Sequence, residues 1–97
     1  MVNITWTNEA EFWLKDIHDY IAQDNTRIAK KVVNEIYQKV QILKSFSQIG
    51  YPYENDDDKE IRVLLYGHYR IAYLIKDKNS IDILGVFHGS LAIEKYL

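Results

Sequence analysis

The stretch IRVLLYGHYRIAYLI, residues 61–75, decides the fold, because it contains two strand-like runs joined by one short turn. Both runs are dominated by β-branched, aliphatic and aromatic residues, which are enriched in strands. Gly67 and His68 lie between them, as a tight hairpin turn requires. A third such run, SIDILGVFH, follows the turn residues Asp77-Lys78-Asn79. The sequence therefore predicts an antiparallel meander of three strands, over residues 60–66, 69–76 and 80–88.

Two amphipathic helices precede this meander. Over residues 8–23 the apolar side chains recur at intervals of three and four, and Asn8 with Glu11 resembles a capping box. A second helix is predicted to begin after Asp24 or Asn25, either of which can cap it, and its apolar stripe continues to Leu43 or to Phe46. Because the break between the helices is so short, we expect them to form an antiparallel hairpin.

The remaining segments complete the predicted fold. Alternation over residues 2–6 indicates a first strand, and SLAIEKYL at the end of the chain is typical of a short helix. The acidic segment GYPYENDDDK is predicted to be a mobile surface loop, since its like charges repel one another. We therefore expect one α+β domain over residues 1–97, with an N-terminal strand and a helical hairpin packed on a twisted antiparallel sheet in the order β-α-α-β-β-β.

Composition excludes several classes of protein. The chain has 97 residues, which suits one compact domain, and it has no cysteine, which excludes disulfides and thiolate metal sites. The segment MVNITWTNEAEF lacks the features of a secretory signal and no apolar run has the length of a membrane span, so we expect a cytoplasmic protein with no membrane partner. A net charge of −2 argues against direct specific DNA binding, although a local basic site stays open.

Residue parity predicts which side chains share a face of the sheet, because side chains alternate along a strand. The odd-numbered residues of the three strands are nearly all large and apolar, so that face is predicted to pack on the helices. Arg62, Arg70 and His88 are even-numbered and are predicted to lie together on the other face. That face also carries the apolar residues Leu64, Ala72, Leu74, Leu84 and Val86. Such a surface is costly to expose, so we expect the C-terminal segment to cover part of it and a second chain to cover the rest.

Each polar residue of this face also has a structural interpretation. An arginine in a strand commonly pairs with a carboxylate, here Asp82 or Glu60. A histidine at a strand end, such as His88, is more often a hydrogen-bonded structural residue than a catalytic one. The other histidines have no companions at ligand spacing, and the acidic segment lacks the central Gly and closing Glu of an EF-hand loop. Without a P-loop, dinucleotide fingerprint or nucleophile elbow, the sequence predicts no metal and no cofactor.

Several segments, in this order and spacing, resemble the RelE/ParE toxins of bacterial type II toxin–antitoxin modules. The most specific are YIAQDN between the helices, YRIAY on the middle strand and VFHG at the end of the last strand. The resemblance extends over essentially the whole chain and implies the same fold. It also implies a growth-inhibiting toxin held inactive by an antitoxin that wraps around it. Under this resemblance the antitoxin would bind the apolar second face at Leu64, Ala72, Leu74, Leu84, Val86 and Tyr96.

One activity in this family is ribosome-dependent cleavage of mRNA by RelE-like members, without a metal. A general base takes the ribose 2′-hydroxyl proton and basic side chains stabilise the phosphorane. The resemblance implies that Arg70 contacts the scissile phosphate, that Arg62 is a catalytic residue near the basic residues of the preceding strand, and that His88 acts as acid or base. The sequence departs from that pattern, because Glu60 and Arg62 stand in the region of the paired lysines and Ser90 stands where many relatives have a basic pair.

The other activity is that of ParE-like members, which poison DNA gyrase and have no nuclease activity. The segment YIAQDN, the weak basic complement and the pI of about 5.9 favour this activity. We therefore expect a gyrase poison. Ribosome-dependent RNA cleavage is the alternative hypothesis, and a non-toxic interaction domain of the same fold is the third.

Overall fold

The structure, a computed structural model that describes residues 2–89 and 93–97, has the predicted α+β fold. Five strands form one mixed sheet in the order β1-β5-β4-β3-β2, and a hairpin of two helices packs against it. The strands are β1 (Asn3–Trp6), β2 (Tyr51–Tyr53), β3 (Ile61–Tyr66), β4 (Tyr69–Asp77) and β5 (Ser80–His88). The helices are α1 (Asn8–Ala22) and α2 (Thr26–Val40). Within the described ranges, no helix is long and apolar enough to span a bilayer.

The structure corrects one local prediction and specifies the type of helix in two others. Strand β2 lies inside the segment that was predicted to be a loop, and it pairs antiparallel with β3. The α2 helix continues as a 3-10 helix over Gln41–Lys44, which accounts for the apolar stripe that reaches Leu43. The predicted C-terminal helix is a 3-10 helix at Ile93–Lys95, and residues 90–92 of that prediction lie outside the described residues.

The start of α1 is fixed by Thr7 and not by Asn8. The Thr7 hydroxyl accepts a hydrogen bond from the Ala10 N–H at 3.1 Å and donates one to the Ile83 carbonyl at 2.8 Å. The same side chain therefore caps the helix and ties it to the middle of β5. Strand β1, just before it, lies parallel to β5, so the N-terminal strand sits beside the last strand of the meander.

The predicted assignment of faces is wrong for β3. Tyr66 pairs with Tyr69 across the turn, and positive φ at Gly67 suits that turn. Cross-strand partners share a face, so a two-residue turn must join residues of opposite parity. The even-numbered side chains of β3 therefore face the helices with the odd-numbered side chains of β4, as the pairs Leu64–Ile71 and Arg62–Tyr73 illustrate.

A bulge at Leu84 inverts the second half of β5. Ala72 pairs with Gly85 but Tyr73 pairs with Ile83, so Leu84 has no partner on β4. Before the bulge, odd-numbered residues such as Ile83 face the helices, and after it Val86 does. Gly85 is required there, because a Cβ atom would lie 2.4 Å from the ring of Phe87.

These two effects change the predicted partner-binding face. Leu64 and Val86, which were expected on the outer face, are buried in the main core beneath the helices. Ala72 is on the outer face but fully buried, in a second apolar cluster with Val63, Phe87 and Ile93. Leu74 and Leu84 are half-buried, and the Tyr96 side chain is about half exposed. The outer face is thus smaller than predicted, since the C-terminal turn covers part of it.

Tyr73 is the central polar contact of the core. It is fully buried on the middle strand, and its hydroxyl donates to the Ser47 carbonyl at 2.7 Å and accepts from the Gly50 N–H at 3.0 Å. This one side chain therefore joins the sheet to the segment that leads from α2 to β2.

We predict that Tyr73→Phe lowers the free energy of unfolding by about 1–3 kcal/mol, because two backbone groups lose their buried partner. Chemical denaturation measures the change. Tyr20→Phe is the matched control, since the Tyr20 side chain is 75% exposed, and it should leave stability unchanged. Equal stability of Tyr73→Phe and the wild type would contradict this account of the core.

Candidate functional site

The three residues predicted to be catalytic lie in different places. Arg62 shares the helix-facing side of the sheet with Tyr73, whereas Arg70 lies on the opposite face between Leu65 and Phe87. His88 pairs with Tyr69 at the end of β5, on the helix-facing side. The prediction that the three share one face is therefore wrong, for the reasons of register and bulge given above.

Arg62 has a structural role. Its guanidinium donates to the carbonyls of Gln48 at 3.0 Å and Gly50 at 2.7 Å, and to the carboxylate of Glu60 at 3.2 Å. The side chain is only 19% exposed. Glu60, one of the two carboxylates predicted to pair with a strand arginine, thus pairs with Arg62, whereas the other, Asp82, lies 3.7 Å from the ammonium of Lys76.

Arg70 is half-buried on the outer face of β4. Its Nε atom is shielded from solvent, while its cross-strand neighbour Leu65 is 57% exposed. An arginine and an exposed leucine therefore meet at the rim of the second apolar cluster. This rim is what remains of the predicted basic and apolar face.

His88 belongs to an aromatic cluster at the open end of the β4–β5 ladder. Its ring centroid lies 5.8 Å from that of Tyr69, edge to face, and 6.3 Å from that of His68, nearly stacked. The Gly89 N–H donates to the His68 carbonyl at 2.7 Å and closes this end of the sheet. Burial raises the pKa of the Tyr69 hydroxyl, so that hydroxyl stays protonated at neutral pH.

A groove of about 520 Å³ lies between α1 and this end of the sheet. It exists because β1 pairs only with residues 80–83 of β5, so α1 and not a strand lies beside the rest of β5. We call it the α1 groove, and its lining is Trp13, Asp16, Ile17, Asp19, Tyr20, Ile21, Gln23, Tyr69, Val86 and His88. Most of these side chains are apolar, and two carboxylates stand among them. Hydrogen bonds from Lys15 and then from His18 lower the pKa of Asp19, so its charge persists at mildly acid pH.

Sequence reasoning missed this groove. Tyr20 is one of the apolar residues that recur over residues 8–23, so the periodicity predicts it in the buried stripe of α1, but its side chain is 75% exposed and lines the groove. A signal was present, because at 3.6 residues per turn Trp13 and Tyr20 lie at one margin of the stripe centred on Leu14. A helix whose aromatic residues lie at the margin of its apolar stripe has a wider apolar surface than one neighbouring element covers.

The positions of the candidates limit their joint chemistry. Metal-independent RNA cleavage needs a base at the 2′-hydroxyl and a cation at the same phosphate. Arg62 and Arg70 project from opposite faces of the sheet, and the guanidinium of Arg62 holds two backbone carbonyls. Across residues 2–89 and 93–97, no group of three or more His, Asp or Glu side chains is placed to hold a metal ion. Arg62 and Arg70 are therefore not placed to act together on one phosphate.

We predict that Arg62→Gln lowers the free energy of unfolding by about 1–3 kcal/mol, because the carbonyls of Gln48 and Gly50 lose a charged donor. Urea denaturation measures this change. Arg27→Gln is the control, since Arg27 is exposed on α2 and makes no ion pair within the described part of the chain. If the two variants are equally stable, the structural role of Arg62 is refuted.

Comparison with known proteins gives a family match and structural relatives. The family model described as "ParE toxin of type II toxin-antitoxin system, parDE" matches residues 4–92. The fold is similar to the chromosomal ParDE TA system from P. aeruginosa, with a TM-score of 0.74 and 24% identity over 91% of this chain and 96% of that chain. It is also similar to the toxin-antitoxin complex RelBE2 from Mycobacterium tuberculosis, with a TM-score of 0.61 and 22% identity over 90% and 96%. The comparison with curated protein sequences found no match.

Proposed function

Because the chain belongs to the family of ParE toxins of type II toxin–antitoxin systems, we propose that it stops bacterial growth by poisoning DNA gyrase. We further propose that a cognate antitoxin neutralises it by binding the α1 groove. The observation that carries the choice of gyrase is the match of residues 4–92 to the ParE family model, and the separation of Arg62 from Arg70 on opposite faces of the sheet supports it. A poison that acts by binding needs no shared phosphate site, whereas a ribonuclease does.

Ribosome-dependent cleavage of mRNA is the alternative activity, and one observation favours it. Arg70 and His88 lie at the same end of the β4–β5 ladder, in the adjacent pairs Arg70–Phe87 and Tyr69–His88. A phosphate at the end of the sheet would have a cation on one side and an imidazole on the other. In that case Arg70 would stabilise the phosphorane and His88 would move the proton, without Arg62.

Induction of the chain alone in bacteria is expected to stop growth, and the purified chain is expected to inhibit the supercoiling of plasmid DNA by gyrase. The same preparation should leave mRNA intact on programmed ribosomes. Cleavage that Arg70→Ala and His88→Ala both abolish would establish the alternative activity instead. Undisturbed growth of the induced culture, at a verified level of the protein, would favour the non-toxic interaction domain.

The shape and charge of the α1 groove support an amphipathic antitoxin segment as its occupant. The groove is lined by aromatic and aliphatic side chains, and an apolar concave surface of this kind accepts the apolar face of a helix. The outer face of α1 is acidic, with Glu9, Glu11, Asp16 and Asp19 against Lys15. An apolar segment flanked by Lys or Arg therefore matches the groove in both respects.

We predict that Tyr20→Ala weakens binding of the antitoxin at least about tenfold, because exposed tyrosines in a groove are frequent hot spots of binding energy. Isothermal titration with the protein encoded beside the gene of this chain measures the affinity. Tyr51→Ala is the matched control, because Tyr51 is 44% exposed on the edge strand β2, which β3 and β4 separate from β5. Equal affinity of Tyr20→Ala and the wild type would exclude the α1 groove as the binding site.

A further inference from the structure

We propose that Phe46 and Ile49 form a preformed apolar contact that inserts into a basic-rimmed apolar pocket on the protein that the toxin attacks. We call this pair the Phe46–Ile49 knob. The inference rests on the proposed function, because it names the surface by which the toxin holds its target. It concerns a different surface from the α1 groove, to which we assign the antitoxin.

The segment that carries the knob is held by side chains of the sheet. The buried Tyr73 hydroxyl contacts the Ser47 carbonyl at 2.7 Å and the Gly50 N–H at 3.0 Å. The Arg62 guanidinium contacts the carbonyls of Gln48 at 3.0 Å and Gly50 at 2.7 Å. Two large side chains of the sheet thus fix three residues within or next to the knob.

Local hydrogen bonds fix the rest of the segment. The Phe46 N–H donates to the Ile42 carbonyl at 2.9 Å, and the Ile49 N–H donates to the Phe46 carbonyl at 3.1 Å. Both knob residues are therefore on an ordered turn. Because the turn is already ordered, binding of a partner does not cost the conformational entropy of ordering it, which favours affinity.

The knob itself contributes little to the core of this chain. Phe46 is 60% exposed and Ile49 is 50% exposed, although the backbone between them is fixed by buried groups. A loop that exists to fill the core would turn these side chains inward, as Leu43 just before it does. Fixed backbone with exposed large apolar side chains is the arrangement found where a partner receives an anchor residue.

The charge beside the knob identifies the kind of partner. The neighbouring segment 54–60 has five carboxylates, from Glu54, Asp56, Asp57, Asp58 and Glu60, against one ammonium, from Lys59. The Gln48 amide lies 3.4 Å from the Glu60 carboxylate, which also pairs with Arg62, so the end of this acidic segment borders the knob. Three consecutive aspartates in this segment repel phosphate, which favours a protein over a nucleic acid as the occupant. It suits a protein pocket that is apolar at its base and rimmed by Lys or Arg.

The knob and the α1 groove lie at opposite ends of β4. Ser47 and Gln48 lie beside Ile75 and Lys76, whereas the groove includes Tyr69. A strand rises about 3.3 Å per residue, so the two ends are about 20 Å apart. Substitutions in the knob can therefore be made without altering the surface assigned to the antitoxin.

The test is the double variant Phe46→Ala/Ile49→Ala, compared with wild type for growth arrest on induction at matched protein levels and for inhibition of purified gyrase. We expect at least about tenfold more of the variant to be needed for half-inhibition, while its affinity for the antitoxin is unchanged. Phe12→Ala is the matched control, because Phe12 is a 65% exposed phenylalanine on α1, and it should keep wild-type potency. A second variant, Asp56→Asn/Asp57→Asn/Asp58→Asn, should also be less potent than the wild type. Its loss of potency should be larger at low salt than at high salt, because salt screens the charges.

Full potency of the double variant would overturn the inference, and so would an equal loss in Phe12→Ala. If the wild type stops growth without inhibiting gyrase, the proposed target is wrong, while the comparison of growth arrest still decides the role of the knob. If the wild type does not stop growth, both the proposed function and the inference are overturned.

Discussion

The pairing of Tyr66 with Tyr69 across a two-residue turn sets the face on which every side chain of β3 and β4 lies. A turn of this length joins residues of opposite parity, so even-numbered residues of β3 share a face with odd-numbered residues of β4. This constraint buries Leu64 beneath the helices and directs Arg62 toward the segment that follows α2. It also leaves Arg70 on the other face. The division of the molecule into two surfaces follows from that one turn.

Much of the fold could be predicted because its signals are local. Apolar periodicity predicted both helices, and runs of β-branched and aromatic residues predicted β3, β4 and β5. The face of β3 relative to β4 follows from the two-residue turn at Gly67 and His68, so counting parity without the turn gave the wrong face. The face of the second half of β5 could not be predicted, because the bulge at Leu84 depends on the fit of Gly85 under the ring of Phe87. The short strand β2 was missed for a similar reason. It lies beside an acidic segment and is held by its pairing with β3, which is a tertiary contact.

The candidate site was predicted less well than the fold. The residues singled out for their charge turned out to have unlike surroundings, because Arg62 fixes a backbone segment whereas Arg70 lies at the rim of an apolar cluster. The α1 groove is formed by side chains that read as ordinary core, such as Tyr20. Its position depends on where β1 stops pairing with β5, and only the assembled sheet determines that. Apolar residues at the margin of a helical stripe were the one signal available in the sequence.

The central claim is that Arg62 and Arg70 lie on opposite faces of the sheet. Arg62 then holds the backbone, and only Arg70 of the two is placed to contact a phosphate on the outer face. Nuclear Overhauser contacts in the free protein test this most directly, because they report which side chains lie within a few ångströms of one another. The account predicts contacts between Leu64 and Ile71 on the helix-facing side and between Leu65 and Arg70 on the outer side. Contacts that place Leu65 and Ile71 on one face, with Arg62 beside Arg70 on the other, would contradict it.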